Sequence, residues 1–158
     1  MRRTPARRGF TLVEILIVVV ILGILAAIVV PAFGDAVRQS REGAFVSSLK
    51  NMAKAAEMYQ AKTGLYLEDG STGVLPAGFD EYVDASEFEN GTPLGGEWDT
   101  EFLDNGFTSA IGVVFDAADT PGDAVMTEVD ALFDDGDLAT GLFQRGTNAN
   151  RYYYVIAP

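Results

Sequence analysis

The sequence predicts an α+β fold in which one long N-terminal helix packs on a small antiparallel sheet. Three patterns predict it. An apolar run of helix length, GFTLVEILIVVVILGILAAIVVPAF, occupies residues 9–33. Its all-round apolarity gives way beyond Gly34 to an amphipathic repeat that persists to Thr63. After Gly64 the chain turns Gly-rich, with short segments of strand-forming composition between turn signals.

The first element is a basic leader over 1–9, with Arg2, Arg3, Arg7 and Arg8 and no acid. The next, 10–34, is a membrane span. After Glu14 come 20 residues without a charge, Ile15 to Gly34, and a helix of that length covers roughly 30 Å, a bilayer's hydrocarbon thickness. Leading arginines favour a cytoplasmic N-terminus, which puts the rest of the chain across the inner membrane. Three other readings of the same residues stay open: an ordinary secretory signal with Val30-Pro31-Ala32 imitating a cleavage site, a twin-arginine signal, and a plain single-pass anchor. Against the first stand the carboxylate at the head of the apolar core and the helical pattern running past the supposed cut.

From 35 to 63 the helix continues as an amphipathic segment. Val37, Ala44, Phe45, Leu49, Met52, Ala56 and Tyr59 follow three- and four-residue spacing, while Arg38, Arg41, Glu42, Lys50, Lys54 and Glu57 fall mostly on other faces. Gly64 is a suitable stop, since glycine takes the left-handed conformation past a helix end. The outer half is expected to pack on a sheet of its own chain. The inner half has nothing of its own to pack on, which suggests that other subunits cover it. Pro31 with Gly34 is expected to kink the helix, because proline removes a backbone donor and clashes with the preceding turn.

The remainder, 64–158, reads as an acidic α+β head. A short helix is expected within Phe79 to Phe88. Strands are expected over Glu97 to Phe102 and Phe107 to Asp116, around the turn signal Asp104-Asn105-Gly106. Thr120-Pro121 opens a helix with Val125, Met126, Val129, Leu132 and Phe133 on one face, ended by Gly136. Leu142 to Arg145 and Tyr152 to Ala157 form a last hairpin across residues 146–150. Tyr152-Tyr153-Tyr154 read as sheet core and edge packing rather than a binding stripe.

Composition excludes several functions. The net charge of −12 becomes −16 without the leader, and Thr63 to Gln144 holds 19 acidic residues and no Lys or Arg. Such a surface repels nucleic acid, whose binding needs clustered cations. With no Cys and no His, the chain has no thiol nucleophile, no Ser-His-Asp chemistry and none of the usual zinc ligand sets.

Gly9-Phe10-Thr11-Leu12-Val13-Glu14, with a basic leader before and a long apolar helix after, resembles the prepilin signature of type IV pilins and type II secretion pseudopilins. Weaker echoes are Thr63-Gly64-Leu65-Tyr66 with Gly73-Val74-Leu75-Pro76, and Pro93-Leu94-Gly95-Gly96-Glu97-Trp98-Asp99. The resemblance implies a pilin-like fold and a peptidase cut between Gly9 and Phe10 on the cytoplasmic side. It also implies N-methylation of Phe10 and polymerisation through the N-terminal helix. Glu14 is then the fifth residue of the mature chain. A carboxylate in the membrane is costly; the Phe10 amine of a neighbouring copy would offset that cost and fix the register between subunits. Cleavage supplies that amine and removes the arginines that obstruct extraction from the membrane.

The expected partners are copies of this chain or related pilins in a helical filament, a prepilin peptidase, a membrane assembly platform with its cytoplasmic ATPase, and inner-membrane lipid. The resemblance to major pseudopilins, which use calcium to stabilise a head loop, also implies a calcium site here. Asp134, Asp135 and Asp137 around Gly136 are the candidate calcium ligands, near Asp116, Asp119 and Asp123. The alternative reading is a solvated acidic surface. The expected role is a non-enzymatic filament subunit, in a periplasmic pseudopilus or a surface pilus. The alternative is a membrane-tethered acidic module that binds calcium or a basic ligand at the cell envelope.

Overall fold

The computed structural model describes residues 9–118 and 120–158. Arg2, Arg3, Arg7 and Arg8 of the leader, and Asp119, lie outside the described residues. The chain divides into two compact units, one ending at Gln39 and one spanning Ser40–Pro158.

Helix α1 covers Leu12–Thr63, 52 residues, and is assigned helical straight through Pro31 and Gly34. In the first unit every described residue is exposed. The most apolar 18-residue stretch of α1 reaches a mean hydropathy of 3.3 with none of it buried, so by length and composition this helix can cross a bilayer.

In the second unit α1 becomes a core element. Phe45, Leu49, Met52, Ala53 and Ala56 are buried, on the three- and four-residue spacing that makes one face. Two residues depart from the expected stripe. Ala44 is exposed and Glu42 is 4% exposed, because the buried line runs 42, 45, 49, 52, 56 and position 44 lies about 100° round the helix from Phe45. Val37, in the first unit, is 39% exposed. The helix ends as expected: Gly64 takes φ 74° and its amide donates to the Gln60 carbonyl at 2.8 Å.

The expected Phe79 to Phe88 helix is two pieces, a 3₁₀ turn at Phe79–Glu81 and helix α2 at Ala85–Glu89. Asp84 separates them by capping α2, its carboxylate accepting the Ser86 amide at 2.8 Å. Strands β1 (Glu97–Asp104) and β2 (Phe107–Val114) pair antiparallel. Asn105 and Gly106 form the two-residue turn, both at positive φ (52° and 92°), the conformation that Asn-Gly favours. β3 (Phe143–Arg145) and β4 (Arg151–Ala157) close the expected last hairpin. β4 also pairs with β2, giving the order β1-β2-β4-β3.

Helix α3 covers Gly122–Asp130 and stops six residues short of Gly136. Tight turns take over there: Leu132 N–H donates to the Val129 carbonyl and Phe133 N–H to the Asp130 carbonyl. Leu132, expected on the buried face, is therefore 58% exposed, while Met126 and Val129 are buried.

One sheet face, bearing Trp98, Ile111, Val113, Phe143 and Tyr152, joins α1 in the main core. Phe45 stacks on Trp98 with ring centroids 5.8 Å apart and planes within 5°. The other face carries a smaller cluster of Phe107, Ala110, Tyr153 and Val155. Tyr152 and Tyr153 are both buried, one on each side of the sheet, as strand alternation requires.

Candidate assembly site and acidic centres

Gly9 and Phe10 precede α1 and are exposed, Phe10 at 85%. Thr11 and Glu14 hold the first turn together. The Glu14 amide donates to Thr11 Oγ1 at 3.2 Å, and Glu14 Oε2 accepts the Thr11 amide at 2.8 Å and its hydroxyl at 2.9 Å. This is a capping box, Thr-x-x-Glu, which satisfies donors the helix leaves open at its start. Thr11, a member of the Gly9–Glu14 signature, thus also caps the helix, a role whose signal is a Thr three residues before a Glu ahead of an apolar run. The acid also sits at the positive end of the helix dipole. Glu14 thus has a local role within one chain. Its carboxylate remains exposed, beside the exposed Phe10.

Three acidic centres lie in the second unit. The first joins β1 to β4. Asp99 and Glu101, 2% and 1% exposed, sit two residues apart on one strand face. Arg151 Nη1 donates to Asp99 Oδ2 at 2.7 Å and to Glu101 Oε1 at 3.0 Å. The Tyr153 hydroxyl lies 2.7 Å from Asp99 Oδ2 and 2.5 Å from Glu101 Oε1. Asn105 Nδ2 donates to Glu101 Oε1 at 2.7 Å. Burial pushes both carboxyls above their ordinary values, against the pull of Tyr153 and Arg151. Burial, then the carboxylates, push the Tyr153 hydroxyl up as well. Asp99, Asn105 and Tyr153 belong to patterns visible in the sequence, but nothing there joins them to one another or to Glu101 and Arg151. The register does, since Asp99, Gly112 and Tyr153 stand in one row across β1, β2 and β4.

The second centre is the loop after α3. Asp134 Oδ2 accepts the amides of Leu142 and of Phe143, the latter at 3.0 Å. Asp135 accepts the Asp137 amide at 2.9 Å and the Thr140 hydroxyl at 2.8 Å. Asp137 accepts the Ala139 amide at 3.0 Å. Carboxylate oxygens of Asp134 and Asp135 come within 4.8 Å of each other and of Asp130. Asp137 is outside that group, and Asp130 replaces it. Asp130 is fully buried, and among the described residues no group makes a well-formed hydrogen bond to either of its carboxylate oxygens; the Gly136 and Asp137 amides only approach it. Burial and the charges of Asp134 and Asp135 push its carboxyl up to about 6, partly offset by the Gly136 and Asp137 amides.

The third centre fastens α3 to the last hairpin. Asp123 accepts the Tyr152 hydroxyl at 2.6 Å and pairs with Arg145 at 2.8 Å. Burial, followed by the Asp123 bond, pushes the Tyr152 hydroxyl up to about 12. Asp116 and Asp123 do not join the Asp130 group.

The family described as prokaryotic N-terminal methylation motif matches residues 4–30. The chain is 39% identical over 69 residues to the type IV major alpha-pilin of Moraxella bovis, covering 42% of this chain and 43% of that one. It is 43% identical over 61 residues to type II secretion system core protein G of Escherichia coli (strain K12), covering 38% and 41%. It is 32% identical over 88 residues to the type IV major pilin protein PilE of Neisseria gonorrhoeae, covering 54% and 53%. The chain therefore spans about two fifths to one half of the length of these relatives. No solved structure gives a significant match.

Proposed function

We propose that this protein, which carries the prepilin-type methylation motif and is similar to type IV pilins and type II secretion pseudopilins, is a structural subunit of such a filament. A prepilin peptidase cuts between Gly9 and Phe10 and methylates Phe10. The subunit waits in the inner membrane as a single-pass protein with its head outside the cytoplasm. A membrane platform then draws it into a periplasmic pseudopilus or a surface pilus with its own copies or related pilins. Its role is non-enzymatic.

The observation that carries this reading is the arrangement at the start of α1. An exposed Gly9–Phe10 step leads directly into a capped helix whose first turn holds Glu14, and the apolar residues that follow within the first unit are all exposed. Lipid solvates such a surface in the membrane, and the same surface of neighbouring subunits replaces lipid in a filament. Glu14 of one subunit then meets the Phe10 amine of the next. A bend at Pro31 and Gly34 would help the helices fit together, because proline frees a carbonyl in the preceding turn.

Intact-mass and N-terminal analysis of the protein from its native membrane tests this. A chain beginning at N-methylated Phe10 supports the reading. A chain that keeps its arginine leader and stays monomeric in detergent would instead favour a membrane-tethered acidic module.

Calcium at the loop after α3 is a second part of the proposal. Asp134 and Asp135, with Asp130 in the place expected for Asp137, would hold it. The buried carboxylate of Asp130, which the nearby Gly136 and Asp137 amides offset only in part, favours this, because hard cations take several oxygen ligands. Melting the full chain in detergent with calcium and then with chelator tests it; an unchanged midpoint discards the site.

A further inference from the structure

One atom of the Asp99–Glu101–Arg151 network has no counterpart among the described residues. Glu101 Oε1 takes hydrogen bonds from Asn105, Arg151 and Tyr153. Glu101 Oε2 is equally buried and has no hydrogen-bond partner among the described residues. A carboxylate oxygen removed from water with no donor is expensive to keep. Charge points the same way. Asp69 feels the charges of Glu101 and Asp104, whereas the Arg151 guanidinium pairs with Asp99 and Glu101.

We infer that Asp69, Glu101 and Asp104 form a site for a hard divalent cation of calcium type at the turn end of the β1–β2 hairpin, with Glu101 Oε2 as its buried arm. One oxygen from each of the three lies within 4.8 Å of the others. Oxygens that share a calcium at 2.3–2.6 Å lie at most about 5 Å apart, so this spacing fits. Asp69 and Asp104 are exposed, which leaves room for water to complete the shell. Leu103 at φ 57° interrupts the strand alternation and lets Asp104 approach Glu101 from the opposite parity. Partial burial, then the charges of Glu101 and Asp104, push the Asp69 carboxyl up against the opposing pull of Arg151. A bound cation relieves that repulsion. With no His or Cys in the chain, the all-oxygen donor set suits calcium rather than zinc or copper. The ion would tie the loop before β1 to the β1–β2 turn. The site shares no ligand with the Asp130 loop and does not depend on the filament reading.

The test is calcium titration by calorimetry of the full chain in detergent after chelator stripping. Wild type is compared with the double variant Asp69→Asn/Asp104→Asn and with Asp134→Asn/Asp135→Asn. The first pair is exposed, so its fold is expected to survive, and equal melting midpoints in chelator check this. The expected result is a binding event weakened at least about tenfold in the first double variant and retained in the second. Calcium binding by the first variant with wild-type affinity and stoichiometry overturns the site. So does a wild type that binds no calcium.

Discussion

Thr11 and Glu14 bond each other reciprocally across the first turn of α1, each side chain accepting the other's amide. This gives Glu14 two separable properties, an acceptor that caps its own helix and a charge available to a neighbour. Glu14→Gln keeps an acceptor able to close the box and loses the charge, whereas Glu14→Ala loses both. Both variants are expected to be inserted and cut at Gly9–Phe10. In both, the fraction of processed subunit that sediments as filament should fall about tenfold or more, as loss of a low-dielectric ion pair implies. A Gln variant that assembles like wild type would assign Glu14 to capping alone.

Gly112 is the position on which the acidic network depends. A Cβ there would lie 2.0 Å from the Tyr152 carbonyl oxygen, 2.6 Å from Tyr153 Cα and 2.7 Å from its ring. Only glycine lets the Tyr153 ring cross β2 toward Asp99 and Glu101. Gly112→Ala should therefore cost at least about 3 kcal/mol of stability. Fluorescence of Trp98, the chain's one tryptophan and fully buried, reports the loss. An unshifted midpoint would mean the strands separate cheaply.

Much of this architecture is legible in the residues because it rests on local chemistry. The long helix follows from apolar periodicity and its Gly64 stop, the first hairpin from Asn105-Gly106, and the methylation motif from contiguous residues. What escapes depends on distant partners. Asp99 and Glu101 look like solvated strand acids until the register places Gly112 and Tyr153 beside them. Glu42 lies on the buried line of α1, yet its charge assigns it to the wet face. Asp130 is buried only because α3 ends there and the chain turns back over it. Asp137, by contrast, is prominent in the acidic run and spends its oxygen on the Ala139 amide.

Arg151 is the cation that both buried carboxylates share. Removing it in Arg151→Met leaves Asp99 and Glu101 buried without a countercharge, at a cost of about 3 kcal/mol near neutral pH. Their folded-state values already lie above the ordinary range through burial. The stability tied to their protons is thus full below the unfolded-state values, about 4, and is lost as pH rises through the folded ones. The variant's deficit should accordingly shrink as pH falls toward about 4. Melts from neutral to acid pH check this, and a deficit independent of pH would place the effect in lost packing instead.

Asp130 allows the same reasoning with a value attached. Its carboxyl stands at about 6 in the folded chain against an ordinary 3.8, with burial as the main cause and Asp134 and Asp135 next. The folded state therefore holds the proton more tightly than the unfolded one. The stability this contributes is complete below 3.8 and disappears as pH rises through about 6. Asp130→Asn removes the titration. In chelator, the variant should melt several degrees above wild type at about pH 7.5, with the gap closing toward about pH 4. If calcium occupies this loop, adding it should raise wild type at neutral pH and leave the variant little changed, because the ion takes the place of the proton. A wild type that melts no lower than the variant in chelator at neutral pH would show that Asp130 keeps its charge at no cost, and would remove the reason for a cation there.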